Sequence, residues 1–166
     1  MRFSPIPDIC VPDLFSVTPK LLSARGITLL LMDLDNTFAT YAEHSPSEQA
    51  ISWAEACRDA GIDLFILSNN RCPKRVRAFA DACKIPFIHC ANKPNPLSLQ
   101  KAMRQMDREP GETALVGDQV FTDGLAANRA GVLSIVVRPL QMKNVFFSLR
   151  YFIEQPFRRL SKEKHT

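Results

Sequence analysis

Between residues 28 and 137 the apolar positions fall in short, nearly unbroken runs, separated by longer stretches of mixed polarity. Residues 28–34 form the first run. It is too short for a buried helix and is typical of a strand covered on both faces of a parallel sheet. Runs at 62–67, 86–89, 114–116 and 133–137 predict four more strands. The intervening segments carry helix punctuation. Ser45-Pro46-Ser47-Glu48 reads as a capping box opening a helix that Gly61 ends. Further helices are expected over 73–82, from the Asn95-Pro96 cap to about 106, and over 122–130, where Gly131 stops the last. Upstream, Thr18-Pro19 followed by Gly26 marks a short helix. Residues 1–17, rich in proline and isolated apolar positions, read as an irregular arm lying on the domain.

Five strands alternating with helices predict an α/β fold. The sheet is expected to be parallel, doubly wound and Rossmann-like, with about five strands and helices on both faces. It should occupy residues 18–140, between the arm at 1–17 and a tail at 141–166.

Composition changes little in this picture. The chain has 166 residues, 46% hydrophobic and 23% charged, which suits one soluble domain rather than disorder or a coiled coil. The opening residues contain no apolar leader and no run is long enough to span a bilayer, so a cytoplasmic location is expected. Five cysteines without a CxxC pair suggest neither a disulfide framework nor a zinc site. The net charge of +4 is concentrated in the tail: residues from Arg138 onward carry +5, and the rest carries −1.

Open α/β sheets bind ligands beyond the carboxyl ends of their strands. Three predicted strands end there in acidic or small polar residues: Asp33-Leu34-Asp35-Asn36-Thr37, Ser68-Asn69-Asn70, and Gly117-Asp118 leading to Asp123. Lys93 lies in the loop after the third strand. Clustered carboxylates repel unless a cation sits among them, and an all-oxygen donor set suits Mg²⁺. A hard cation beside an ammonium group is what a phosphoryl group requires. A carboxylate can attack phosphorus, with a second acid protonating the leaving oxygen and then activating water. Asp33 and Asp35 can fill those two roles.

The ordered pattern DxDxT, strand-end Ser, Lys and GDxxxxD resembles the haloacid dehalogenase (HAD) superfamily. More narrowly, Leu34-Asp35-Asn36-Thr37, Leu67-Ser68-Asn69-Asn70, Lys93-Pro94 and the segment 117–123 resemble the YqeG-type, class IIIA phosphatases. The resemblance implies a HAD-type fold, with Asp33 as nucleophile and metal ligand. It makes Asp35 the general acid/base, whose carbonyl also ligates. Ser68 and the Asn69 amide would hold phosphate oxygens, which Lys93 would neutralise. Asp118 would bind Mg²⁺, and Asp123 would support it directly or through water. Lys74 is the alternative to Lys93. Phe38 replaces the leucine usual in such relatives, a change of packing only. The 35 positions from Asp33 to Ser68 and the 25 from Ser68 to Lys93 are already filled by predicted elements, so no cap domain is expected. An open site implies a large substrate, a membrane-borne head group or closure by another subunit.

The resemblance extends to phosphatidylglycerophosphate phosphatases, which makes that lipid a candidate substrate. A soluble nucleotide or sugar phosphate is the alternative, and a non-enzymatic Mg²⁺-binding scaffold ranks last because every expected residue type is present. A receiver-like domain also combines acids, Mg²⁺ and lysine, but the second acid, Asp35, favours hydrolysis. In the tail, Phe146, Leu149, Ile153, Phe157 and Leu160 share one helical face, with Arg158, Arg159 and Lys162 projecting elsewhere and Pro156 expected to kink the helix. Packing of that face on its own domain or in a homo-oligomer is favoured over peripheral membrane contact through 145–164. Arg71, Lys74, Arg75 and Arg77 either border the site or form a solvated helix face. Without interleaved aromatics they predict no nucleic-acid partner.

Overall fold

The computed structural model describes residues 4–142 and 144–164. The first three residues of the expected arm, Lys143, His165 and Thr166 lie outside the described residues. A parallel sheet carries the fold, in the order β4-β3-β2-β5-β6-β1-β7. The five expected strands are β2 (Leu29–Met32), β3 (Asp63–Leu67), β4 (Phe87–Ile88), β5 (Thr113–Gly117) and β6 (Leu133–Val137). All their pairings are parallel, with Leu29 opposite both Asp63 and Thr113.

Alternate strand residues face opposite layers, as the pleat requires. Leu30, Met32, Leu64 and Ile66 pack with α1 (Pro19–Ser23), α2 (Glu48–Asp59) and α3 (Pro73–Cys83). Leu29, Leu31, Phe65 and Leu67 pack with α4 (Leu97–Gln105) and α5 (Leu125–Ala130). Phe38 fills the first layer, its ring against Trp53 and Phe79. α2 starts two residues later than the capping-box reading, because Ser47 rather than Ser45 supplies the cap to the Ala50 amide. The expected helix over 122–130 begins instead as one widened π-type turn, Val120–Gly124, before α5.

The proline-rich beginning is not irregular throughout. Ile9–Val11 forms β1, parallel to β6 in the register Ile9 to Ile135, and pairs on its other side with β7 (Glu163–Lys164). Val17 is fully buried, and its carbonyl accepts from Trp53 Nε1 at 3.0 Å. Ile9 and Val11 point to the core with Cys10 between them, so this is a strand too short to show its period between flanking prolines.

Helix α6 (Val145–Arg159) crosses the carboxyl ends of β5 and β6. It does not pack the anticipated apolar face on its own domain. Glu154 and Arg158 are buried, while Phe146, Leu149 and Ile153 are exposed. The Arg158 guanidinium donates to the Val137 carbonyl at 2.8 Å, to the Asp118 carbonyl, and to Glu154 Oε2 at 3.2 Å. These carbonyls lie just past β5 and at the end of β6, where the chain has left the sheet and needs outside donors. Of the anticipated apolar face, Phe157 alone turns inward, edge-on to Phe121 at 5.2 Å.

Candidate active site

The chain runs from β2 outward to β3 and β4, then crosses to β5 on the other side of β2. That reversal opens a crevice at the carboxyl ends of the central strands. Asp33 follows β2, Ser68 follows β3 and Asp118 follows β5. Asp33, Asp35, Tyr41, Ser68, Asn69, Asn70 and Gln119 line a cavity of about 200 Å³ there. No inserted domain covers it among the described residues.

Lys93, not the exposed Lys74, occupies the crevice. Its Nζ lies 2.8 Å from Asp33 Oδ1 and 2.7 Å from Asp123 Oδ1, and donates to the Leu67 carbonyl at 2.7 Å. Asn69 sets the lysine in place: its side chain accepts from the Lys93 amide at 2.8 Å and donates to the Lys93 carbonyl at 3.0 Å. Ser68 Oγ accepts from the Asn70 amide at 3.1 Å.

Both oxygens of Asp35 are held. Oδ1 accepts from Arg75 Nε at 2.8 Å and Oδ2 from Asn70 Nδ2 at 2.7 Å. Arg75 also donates to the Thr40 and Glu43 carbonyls, which ties the loop after β2 to α3. Of the four basic residues 71–77, Arg75 thus belongs to the site, whereas Arg71 lines an adjoining cavity with Asn69, Cys90 and Asn92. Asn70 falls in the Leu67–Asn70 motif, which by itself gives it no role, and Arg75 falls in none. Arg75 sits in the first turn of α3, and only the fold brings it back to Asp35.

Burial raises the Asp33 carboxyl to about 7, with Asp123 and Asp35 adding to the rise and Lys93 opposing it. Asp118 is pushed well above the usual carboxylate range, first by burial and then by Asp33 and Asp123. For Lys93 burial acts the other way, but Asp123 and Asp33 outweigh it and hold the ammonium charged. Tyr41 is pushed up to about 12 by burial and by the carboxylates of Asp118, Asp35 and Asp33.

Asp118 bears on whether a cation fits. It is 1% exposed; among the described residues Oδ1 has no hydrogen-bond partner, and Oδ2 lies 3.5 Å from Asn36 Nδ2 and 3.7 Å from Arg150. A buried carboxylate this poorly satisfied, close enough to Asp33 to raise its pKa, suits a hard cation. Among the described residues no three His, Cys, Asp or Glu side chains form a ready-made metal cluster. Mg²⁺ does not need one, since it keeps several waters and takes one or two protein carboxylates. Asp123 faces Lys93 and also accepts from the Gln119 amide at 3.1 Å. Gly117 makes that possible, because a Cβ there would lie 2.5 Å from Asp123 Cβ.

Comparison with known proteins gives the family. Over 143 residues the chain is 34% identical to Probable phosphatase YqeG of Bacillus subtilis (strain 168), covering 86% of this chain and 83% of that protein. The chain belongs to the YqeG-type phosphatases of the HAD superfamily. A HAD-hydrolase-like family model also matches residues 90–139, the stretch that holds Lys93, Asp118 and Asp123. Among solved structures, the 3-deoxy-D-manno-octulosonate 8-phosphate phosphatase of Moraxella catarrhalis, in complex with magnesium, phosphate and KDO, superposes with a TM-score of 0.59 at 19% identity. That alignment covers 89% of this chain and 82% of the other. The cobalt-bound enzyme of the same name from Haemophilus influenzae gives 0.55 at 20% identity, covering 79% of this chain and 89% of its own. At these identities the likeness concerns the fold.

Proposed function

We propose that this phosphatase hydrolyses a phosphomonoester in two steps through an aspartyl phosphate on Asp33, with Mg²⁺ as cofactor. The observation that carries the reading is the convergence of Asp33, Asp35 and Ser68 on one cavity, with Lys93 and Asp118 directly behind Asp33. Asp33 attacks phosphorus, the P–O bond to the leaving group breaks, and Asp35 delivers a proton to the departing oxygen. Asp35 then takes a proton from water as that water attacks the acyl phosphate, which releases phosphate and restores Asp33. Ser68 and Asn69 bind the phosphoryl oxygens, and Lys93 balances their charge. Asp33, Asp118 and the Asp35 carbonyl would hold Mg²⁺, backed by Asp123, and the ion would supply charge neutralisation at the phosphoryl group.

The cavity of about 200 Å³ is open, and Asn69 also lines an adjoining cavity of about 350 Å³, so a substrate can extend beyond the phosphoryl site. That favours a large or membrane-borne ester such as phosphatidylglycerophosphate. A soluble sugar or nucleotide phosphate is the second reading, favoured by the sugar-phosphate phosphatases that share the fold. The test is phosphate release from a panel containing detergent-dispersed phosphatidylglycerophosphate and soluble sugar and nucleotide phosphates, with and without Mg²⁺, for wild type and Asp33→Asn. Metal-dependent release that vanishes in a folded variant is expected. Turnover by Asp33→Asn would overturn the nucleophile assignment, and Mg²⁺ binding without turnover of any ester would favour a scaffold.

A further inference from the structure

We propose that helix α6 docks the enzyme on an anionic lipid bilayer, with the active-site mouth beside the membrane surface. An amphipathic helix in a globular domain normally turns its apolar side to the core. Here the polar side does so. Glu154 and Arg158 are buried, while Val145, Phe146, Leu149, Phe152, Ile153 and Leu160 face outward, Phe146 80% and Phe152 75% exposed. At 100° per residue these side chains cover a continuous sector of about 120°. Leu140 and Met142, also exposed, lead into it. An apolar surface of this extent marks a docking site.

Charge decides the occupant. The only acid of α6 is Glu154, and it is buried against Arg158. Arg159 lies exposed on one flank of the apolar sector, the half-buried Arg150 lies on the other, and Arg138 is exposed just before the helix. Anionic head groups match such a rim, and each exposed cation near the surface adds about 1 kcal/mol of attraction. A second copy matches it poorly. An antiparallel helix pair about a two-fold axis brings each flank against itself, and neither flank offers an exposed acid to the partner's arginines. The helix lies on a bilayer rather than across it, since no described helix is long and apolar enough to span one.

The same helix is attached to the site. Phe147 packs edge-on against Tyr41, which lines the cavity, at 6.1 Å. Arg150 approaches Asp118 Oδ2, and Arg158 holds the Asp118 carbonyl. A surface that takes the outward face of α6 therefore lies next to the cavity entrance. The docking is independent of which ester is cleaved; its use in presenting substrate rests on the membrane-borne reading above.

The test is co-sedimentation of the full chain with vesicles of phosphatidylcholine alone and of phosphatidylcholine with phosphatidylglycerol, at low and high salt. Wild type is expected to bind the anionic vesicles and to be released by salt. Phe146→Ser/Phe152→Ser/Ile153→Ser should bind at least about a hundredfold more weakly, since each large side chain contributes about 1.5 kcal/mol or more when buried. Arg159→Glu should weaken binding to the anionic vesicles alone. Turnover of p-nitrophenyl phosphate should be unchanged in both variants, which separates docking from chemistry. The proposal is overturned if wild type ignores anionic vesicles, if the triple variant binds them undiminished, or if sedimentation velocity finds a dimer that the triple variant dissociates. An inactive wild type that still binds anionic vesicles would instead sink the catalytic reading and leave the docking intact.

Discussion

Replacing Arg158 with methionine tests whether α6 is held by its buried ion pair. The substitution keeps most of the aliphatic stem and removes the guanidinium. Glu154, 1% exposed, then has as its nearest cation Arg150 Nε, 4.0 Å from Oε1, too far for a hydrogen bond. The Val137 and Asp118 carbonyls lose a donor at the same time. Removing one partner of a buried pair costs about 3–5 kcal/mol, and each stranded carbonyl about 1 kcal/mol or more. Undocking of α6 would let Glu154 reach water and cap the loss, so about 4 kcal/mol is expected. For a domain of this size that lowers Tm by roughly 8–16 °C. Urea unfolding of Arg158→Met, Glu154→Gln and the double variant closes a thermodynamic cycle, in which the coupling should reach at least about 2 kcal/mol. A loss below about 1 kcal/mol for Arg158→Met, or additive single effects, would refute the reasoning.

Arg75→Met frees Asp35 from its guanidinium and the loop from α3; kcat should fall about 10²-fold with KM little changed, and steady-state kinetics with a pH profile would show whether Asp35 is affected. Gly117→Ala forces its new Cβ against Asp123, so it should lose about 1–3 kcal/mol in urea melts along with most phosphatase turnover, and a stable, fully active variant would contradict the geometry. The Asp8 carboxyl is pushed up by burial, but hydrogen bonds from Lys162 and from the Ser134 amide and hydroxyl outweigh this and leave its pKa lowered. A carboxyl depressed in the folded state stabilises above its unfolded pKa of about 3.9 and loses that contribution as pH falls through the folded value. Thermal melts should therefore show wild type ahead of Asp8→Asn near neutrality and level with it in strong acid; an advantage that persists there would contradict the linkage.

What could be read from the chain followed from strong local signals. Strand β2 is an unbroken apolar run and β6 is interrupted only by Ser134, and the residues that end β2, β3 and β5 do meet in one crevice. The misses have physical causes. Ile9–Val11 is too short to display a period, and its partner is far away in the chain. The serine at position 45 looked as good a cap as Ser47 because both precede a possible first turn. Asn70 and Arg75 reach Asp35 through the fold and carry no spacing that announces it. The tail illustrates a limit of amphipathicity. A helical wheel separates two faces, but it does not say which one the domain will take. Two carbonyls at the carboxyl ends of β5 and β6, left without sheet partners, can recruit an arginine, and Arg158 with Glu154 claimed the inner side.

The position of β1 between β6 and β7 also constrains the order in which the fold can assemble. Asp8 bonds Ser134 across 126 residues of sequence, and β1 is in register with a strand equally remote. As the chain leaves the ribosome, Ile9 and Val11 emerge long before the β6 edge on which β1 pairs. Strands β2 to β5 can associate meanwhile through shorter loops, and closure of the longest loop comes late. Until then Ile9 and Val11 remain uncovered on a nascent chain, a window in which a chaperone or a neighbouring polypeptide can capture them.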